Sequence, residues 1–416
     1  MYLNFKIILF LVSVILLHPD NFLFPGQIKV GQGYKVTKIS RAVELASDYD
    51  TIIVYPGYYS EGNIIITRPV AIIGINSPVI DGEGIGEVLT VSSSDVLIEG
   101  FIIKNAGVSF LKENSAIKLD AVRNCKIINN KLIDNFFGIY ISESSDCLIS
   151  GNFIKAHSVK ETNSGNGIHL WYCKNIRIVG NNIKGHRDGI YFEFVENGYV
   201  HKNHSSNNLR YGLHFMFSDN CVYSSNIFEK NGAGVAVMYT KNVTIKKNIF
   251  RQNPGPASYG ILLKEITDCH ILNNEFYSNT TALYFEGCSR ITTEGNIFSK
   301  NGWAIRLMAN SMNNYFYRNN FLTNSFDVAT NSRQNFNEFR NNYWSEYSGY
   351  DLDKDGKGDV PYRPVKFFSV LVQEQPASLA LLHSLFADLL NLAESVVPSL
   401  TPEHLVDTQP SMRLLN

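Results

Sequence analysis

An asparagine returns about every 22 residues through most of this chain, and that period constrains the fold more than any other feature. The clearest copies read Asn226-Ile227-Phe228, Asn248-Ile249-Phe250, Asn274-Glu275-Phe276, Asn296-Ile297-Phe298 and Asn319-Asn320-Phe321. Weaker copies carry the column back through Asn203, Asn181, Asn152 and Asn130, and forward to Asn341. Steps are 22 or 23 residues, except for 29 from Asn152 to Asn181 and 26 from Asn248 to Asn274. Such a period marks a solenoid, whose units cannot bury their apolar faces alone and must stack.

The rest of each unit alternates. Gly138-Ile139-Tyr140-Ile141, Gly189-Ile190-Tyr191-Phe192, Gly212-Leu213-His214-Phe215 and Gly234-Val235-Ala236-Val237 place apolar residues at every second position. Period two in β-branched and aromatic residues is a half-buried strand. Equivalent strands of successive units must then pair in parallel, so the fold class is all-β, a parallel β-helix. Two more columns support the register. One is Asn135, Asn208, Asn231, Asn253, Asn279, Asn301 and Asn324, with His157 and His186 in the same slot; the other is Asn124, Asp146, Asn175, Asn197, Asn220, Asn242 and Asp268. Stacked amides can hydrogen-bond along the axis at about 4.8 Å per unit, and they tolerate left-handed turns. The anchors Asn130, Asn152, Asn181, Asn203, Asn226, Asn248, Asn274, Asn296, Asn319 and Asn341 are therefore expected to form one ladder, with about ten regular coils between Phe101 and Tyr343.

The chain is 44% hydrophobic with a net charge of −1, which suits a large core and gives no sign of a nucleic-acid partner. Residues 1–25 read as a secretory signal, with an uncleaved anchor as the alternative. Residues 26–100 form an N-terminal cap and the first coils. In them Ser40 to Asp48 reads as a short helix N-capped by Ser40, followed by strand pieces at Thr51 to Val54 and Ile64 to Thr67. Regular coils occupy 101–345. Residues 346–416 form an Asp-rich loop and a helical tail, with an apolar stripe at helical spacing from Ala377 to Val397. That stripe is either an end cap or a docking element. Cys125, Cys147, Cys221 and Cys269 fall in a core column and read as buried free thiols.

Outward positions of one strand carry the candidate chemistry. The first outward column reads Lys118, Tyr140, His169, Tyr191, His214, Ala236, Leu262, Tyr284, Arg306. The second reads Asp120, Ser142, Trp171, Glu193, Met216, Met238, Lys264, Glu286, Met308. Of six Met in the chain, three share the second column. His214, Met216 and Met238 make a soft donor set on an exposed face, suited to Cu(I). An apolar protein-docking stripe and a sugar-binding groove are the other readings of the same face. Glu193 and Glu286 lie four coils apart and cannot act as a catalytic pair, so the chain is not expected to be an enzyme. Asp351, Asp353, Asp355 and Asp359, with Gly356 between them, have the spacing of a calcium loop, although Tyr362 stands where an EF-hand has Glu. An ion-free Asx turn is the alternative.

The stretch Asn341-Asn342-Tyr343-Trp344-Ser345-Glu346-Tyr347-Ser348-Gly349-Tyr350-Asp351, the Asp-Gly loop and Val360-Pro361-Tyr362-Arg363-Pro364 resemble the C-terminal signature of the NosD family. Asp407-Thr408-Gln409-Pro410-Ser411-Met412-Arg413 resembles that family's ending, with Ser411 where Leu is expected. Val54-Tyr55-Pro56-Gly57-Tyr58-Tyr59 and Ile80-Asp81-Gly82-Glu83-Gly84 agree. The resemblance implies a right-handed β-helix in the periplasm, peripheral to the inner membrane. Its implied partners are the permease and ATPase subunits of an ABC transporter, a membrane-anchored copper chaperone and apo nitrous oxide reductase, whose copper-site maturation it would support. A polysaccharide-binding or -modifying solenoid is the alternative.

Overall fold

A computed structural model of the chain describes residues 26–109, 111–254, 258–332, 334, 336–382, 384–387, 389–390 and 405–415. The signal expected at 1–25 and much of the segment beyond residue 390 lie outside the described residues. Three parallel sheets of 14, 13 and 12 strands run along the molecule, each strand pairing with its equivalent one unit away. One unit illustrates the path. Val222–Ser224 lies in the first sheet, Ile227–Glu229 in the second after the Asn226 corner, and Ala233–Met238 in the third. The solenoid begins at Gln27–Val30, which pairs with Thr51–Val54.

Alternation explains the core. Val235 and Val237 point inward and are buried, as are Leu213 and Phe215 one unit earlier. From Asn226 onward the aromatic two residues after the anchor also turns in. Phe228, Phe250, Phe276, Phe298, Phe321 and Trp344 form one internal stack with centroids 4.1–5.4 Å apart.

The anchoring column is a buried amide ladder. Asn248 Oδ1 accepts from both the backbone N–H and the side-chain Nδ2 of Asn226 at 2.9 Å, and Asn226 Nδ2 also donates to Val200 O at 2.9 Å. This pattern repeats from Asn130 onward and satisfies corner groups that water cannot reach. One member differs from expectation: after Asn319 the ladder continues to Asn342, not Asn341. Asn341 has φ 55° and occupies the left-handed turn just before the anchor, as Lys247 does at φ 56°. The Asn-Asn pair offered both residues, and the buried slot took the second. The column five residues after the anchor forms a second ladder from Asn208 through Asn324. His157 lies outside it, exposed and paired with Asp134 at 2.6 Å, because the long step begins there.

The N-terminal helix spans Ile39–Leu45 and buries Ile39, Ala42 and Val43 against the first strands. Its N-cap is Lys38, not Ser40. The first-turn amides of Ile39 and Ser40 donate instead to the Glu61 carboxylate at 2.6 and 2.9 Å, where the helix dipole favours negative charge. At the other end a helix at Phe367–Glu374 packs Phe368 and Val372 on Phe326. The helix therefore begins earlier than expected. Pro376 then interrupts it, because Gln375 before the proline leaves the helical region, and a 3-10 segment follows at Pro376–Leu381. Helical residues resume at 385–387 and 389–390. All six Cys are free and buried, and burial pushes Cys221, Cys269 and Cys288 up to about 12. No described helix is long and apolar enough to cross a membrane.

Candidate ligand face on the third sheet

The outward columns fall in the expected register. Tyr140, His169, Tyr191, His214 and Ala236 pair in order, and Met216 pairs directly with Met238. The two thioethers thus stand on neighbouring units, about 4.8 Å apart along the axis. His214 lies two residues before Met216 on the strand Tyr211–Met216. It is not exposed, as expected from alternation alone, but only 5% accessible. Tyr191 and Tyr211 pack on it with centroids at 4.8 and 4.7 Å, and Tyr191 Oη reaches Met216 Sδ at 3.8 Å. Met216 and Met238 remain half-buried. His169 and Met308 stand two and three units away, too far to join them.

Sequence reading missed the groups behind His214. Its Nδ1 lies 3.7 Å from Asp188 Oδ2 and 3.3 Å from Arg210 Nη2, while Nε2 has no hydrogen-bond partner. Asp188 is fully buried, accepts from Tyr211 N–H at 3.3 Å, and is approached by Arg187 and Arg210. The ring either accepts at Nδ1 from Arg210 or carries its proton there, facing the Asp188 carboxylate at 3.7 Å without a hydrogen bond. Only the second tautomer leaves an Nε2 lone pair for a soft metal. One signal was legible: the 29- and 26-residue steps insert chain just before third-sheet strands, and solenoid insertions collect at the binding face. The inserted 3-10 turn Glu161–Asn163 brings Glu161 near Tyr211, whose phenol is raised mainly by burial. Burial, reinforced by Arg187, holds His169 down at about 3, so its ring is neutral at physiological pH.

A second feature borders the Met column. Tyr172, Phe194, Phe217 and Tyr239 follow Trp171, Glu193, Met216 and Met238 in sequence and stack with centroids 4.5, 5.2 and 5.1 Å apart. All four have φ between 48° and 55° and are 37–52% exposed. Other units place Ala121, Glu143, Glu265 or Gly287 at this turn. A left-handed backbone costs roughly 1–2 kcal/mol for an ordinary residue, so four consecutive exposed aromatics there are poorly explained by stability.

In the C-terminal loop, oxygens of Asp351, Asp353 and Asp355 lie within 4.8 Å of one another. Backbone amides already occupy them: Asp351 accepts from Asp355 and Gly356, and Asp353 from Asp355. Asp359 is not in the group; it accepts from Leu352 N–H at 2.7 Å.

Residues 153–349 match the family model described as "Periplasmic copper-binding protein (NosD)". Two relatives, each a "Probable ABC transporter binding protein NosD", come from Stutzerimonas stutzeri and Pseudomonas aeruginosa. Both are 29% identical, over 85% of this chain and 85% or 86% of their own length. The chain is similar to NosD proteins over most of its length. Among solved structures, the Azotobacter vinelandii mannuronan C-5 epimerase AlgE6 A-module superposes with a TM-score of 0.58, at 12% identity, over 73% of this chain and 94% of its own. The Streptococcus pneumoniae adhesin PfbA gives 0.52 at 13% identity over 73% and 85%. At that identity the likeness is one of fold. The NosD relatives bear names of binding proteins, not enzymes, whereas the structural neighbours include enzymes.

Proposed function

We propose that this chain is a periplasmic partner of an ABC transporter that handles Cu(I) on behalf of nitrous oxide reductase maturation, by binding and not by catalysis. The observation that carries the reading is the Met216–Met238 pair, aligned across neighbouring strands, with His214 two residues before Met216 and its Nε2 without a hydrogen-bond partner. Two thioethers and an imidazole form a soft three-ligand set. Their half-buried position suits an ion that must be taken up and released. Copper is the cargo in this scheme, received from a membrane-anchored chaperone and passed toward the apo-reductase. The exposed aromatic row from Tyr172 to Tyr239 lies beside the patch, where a docked protein would cover both. The apolar residues Leu379, Leu381, Leu385, Phe386 and Leu389 stay exposed past the last coil and are proposed to face the permease.

The test is competition for Cu(I) with a chromogenic chelator, using wild type and the Met216→Leu/Met238→Leu double variant. That variant keeps volume and apolarity while removing both sulfurs. We expect affinity to fall at least tenfold and reductase copper loading in cells to fall with it. Unchanged affinity and loading would reassign the face to docking alone.

A further inference from the structure

Two long units flank a short one in the first half of the solenoid. The hydrogen-bonded corner steps run 29 residues from Phe101 to Asn130, 22 from Asn130 to Asn152 and 29 again from Asn152 to Asn181. The extra residues fall between the second and third sheets, after Ile102–Lys104 and after Phe153–Lys155, whereas Lys131–Ile133 is followed closely by Phe137–Ser142. A short turn between two long connections leaves a notch of about 610 Å³. Asp134, Asn135 and Phe136 floor it, with Val108 on one side and the segment from Ala156 to Gly165 on the other. A second hollow, of about 720 Å³, shares Val108 and Asp134 with it and reaches back to Asp81, Glu83 and Tyr58. Each is the size of a small-molecule site. Together they form a groove along the axis that crosses the second-sheet strands from Tyr58–Ser60 to Phe153–Lys155, a run of ~19 Å at the usual strand spacing.

The open polar groups of this groove are mostly acceptors. Asp134 Oδ1 lies 2.6 Å from His157 Nδ1, and the two side chains stay 47% and 65% exposed. The exposed Glu83 accepts from Ser60 Oγ. Buried Asp81 is fixed by the Tyr58 hydroxyl, by Asn105 Nδ2 at 2.9 Å and by Glu83 N–H at 2.8 Å. Among the described lining residues Lys160 is the one lysine or arginine, against three carboxylates.

We propose that this groove binds a neutral oligosaccharide lying along the solenoid axis. Sugar hydroxyl groups donate to the accessible carboxylates of Asp134 and Glu83, in hydrogen bonds of the stronger, charge-assisted kind. Tyr58, 61% exposed, and the half-buried Phe136 offer ring surface to the C–H groups of the sugar rings. Val108 and Val159, 62% and 84% exposed, give the notch apolar lips that suit the methyl of an N-acetyl group. A polyanion would meet three carboxylates with one lysine to offset them. An extended peptide finds no free strand edge, because Lys131–Ile133 in the floor already pairs on both sides. The groove shares no residue with the Met216–Met238 patch and is independent of the copper reading.

The experiment is calorimetric titration of the full chain, with a copper chelator present, against cellohexaose, chitohexaose, an oligogalacturonate and pentalysine. We expect a neutral hexamer to bind, and Tyr58→Ala and Asp134→Asn each to weaken it about tenfold. Asparagine keeps the left-handed turn at Asp134, whose φ is 53°. Preference for chitohexaose would place acetyl groups between the valines, and equal binding of the two would make hydroxyl groups the common determinant; both support the site. Silence of both neutral hexamers, or tighter binding of oligogalacturonate or pentalysine, would overturn it. Hydrogen exchange on wild type locates the ligand without any variant, and the expected protection covers 104–108 and 156–165. Protection confined to other units would also overturn the assignment. Because copper is chelated, failure here leaves the thioether site untouched.

Discussion

Asp407 closes the buried amide column. Its Oδ2 accepts from Asn342 N–H and Nδ2 at 3.0 Å and from Trp344 Nε1 at 3.1 Å, in a fully buried position. It stands where the next asparagine oxygen would be. No periodicity reveals it, because it lies 65 residues beyond its partner. Asp407→Ala strands three donors, and we expect a loss of about 3 kcal/mol in urea unfolding. Asp327 behaves oppositely. Burial, only partly offset by a hydrogen bond from Asn324, raises its carboxyl to about 7. The folded state then binds one more proton than the unfolded chain between about pH 4 and 7. Stability falls by about 1.4 kcal/mol per unit as pH rises across that window. Asp327→Asn should therefore raise the melting temperature at pH 8 and give no gain at pH 4. A gain equal at both pH values would refute a protonated Asp327. The burial of His214 was also illegible from alternation, since alternation says which side a residue faces and not what neighbouring side chains do to cover it. Asp188 was missed because no column of like residues marks it.

The two kinds of amide column differ in depth, and depth decides what each contributes. Asn248 is buried and receives both amides of Asn226, whereas Asn220 sits on an exposed left-handed turn and receives only Asn242 Nδ2 at 3.1 Å. Asn248→Ala should cost about 3 kcal/mol by orphaning donors in the core. Asn220→Gly keeps the turn geometry and should stay within about 0.5 kcal/mol. Comparable losses for both would mean the ladders act through stacking and not through burial. This split was half legible: spacing located both columns, but only the surrounding apolar residues decide which one faces inward. The exposed aromatic row gives a sharper test of function at this scale. Phe217→Asn places a residue suited to φ 48° and removes one ring from the stack. We expect unfolding stability within about 0.5 kcal/mol of wild type and clearly weaker capture of the apo-reductase or chaperone. Retained capture would make the row an ornament of the turn.

A solenoid needs both ends closed, and this one closes them with different parts of the chain. Glu61 and the Ile39–Leu45 helix finish the first coil. At the far end the tail returns: Ser411 N–H donates to Asn342 O at 2.8 Å, and Leu415 exchanges two 3.0 Å bonds with Asn320. The helix Phe367–Glu374 covers Phe326 on the third sheet. The sequence made the coils legible because a repeat is its own confirmation. It left the ends illegible, because each cap is a single event with no column behind it. With the tail and helix already sealing the core, Leu385, Phe386 and Leu389, at 75%, 54% and 47% exposure in the order Leu385, Leu389, Phe386, are surplus to capping. Exposed apolar clusters of this kind mark interaction sites. Changing all three to Ser removes apolar area without touching Phe368, Val372 or Asp407. The variant should unfold at the wild-type urea midpoint and lose most of its co-purification with the transporter permease. Undiminished co-purification at normal yield would show that the segment serves only to finish the fold, and that the permease is met elsewhere on the solenoid.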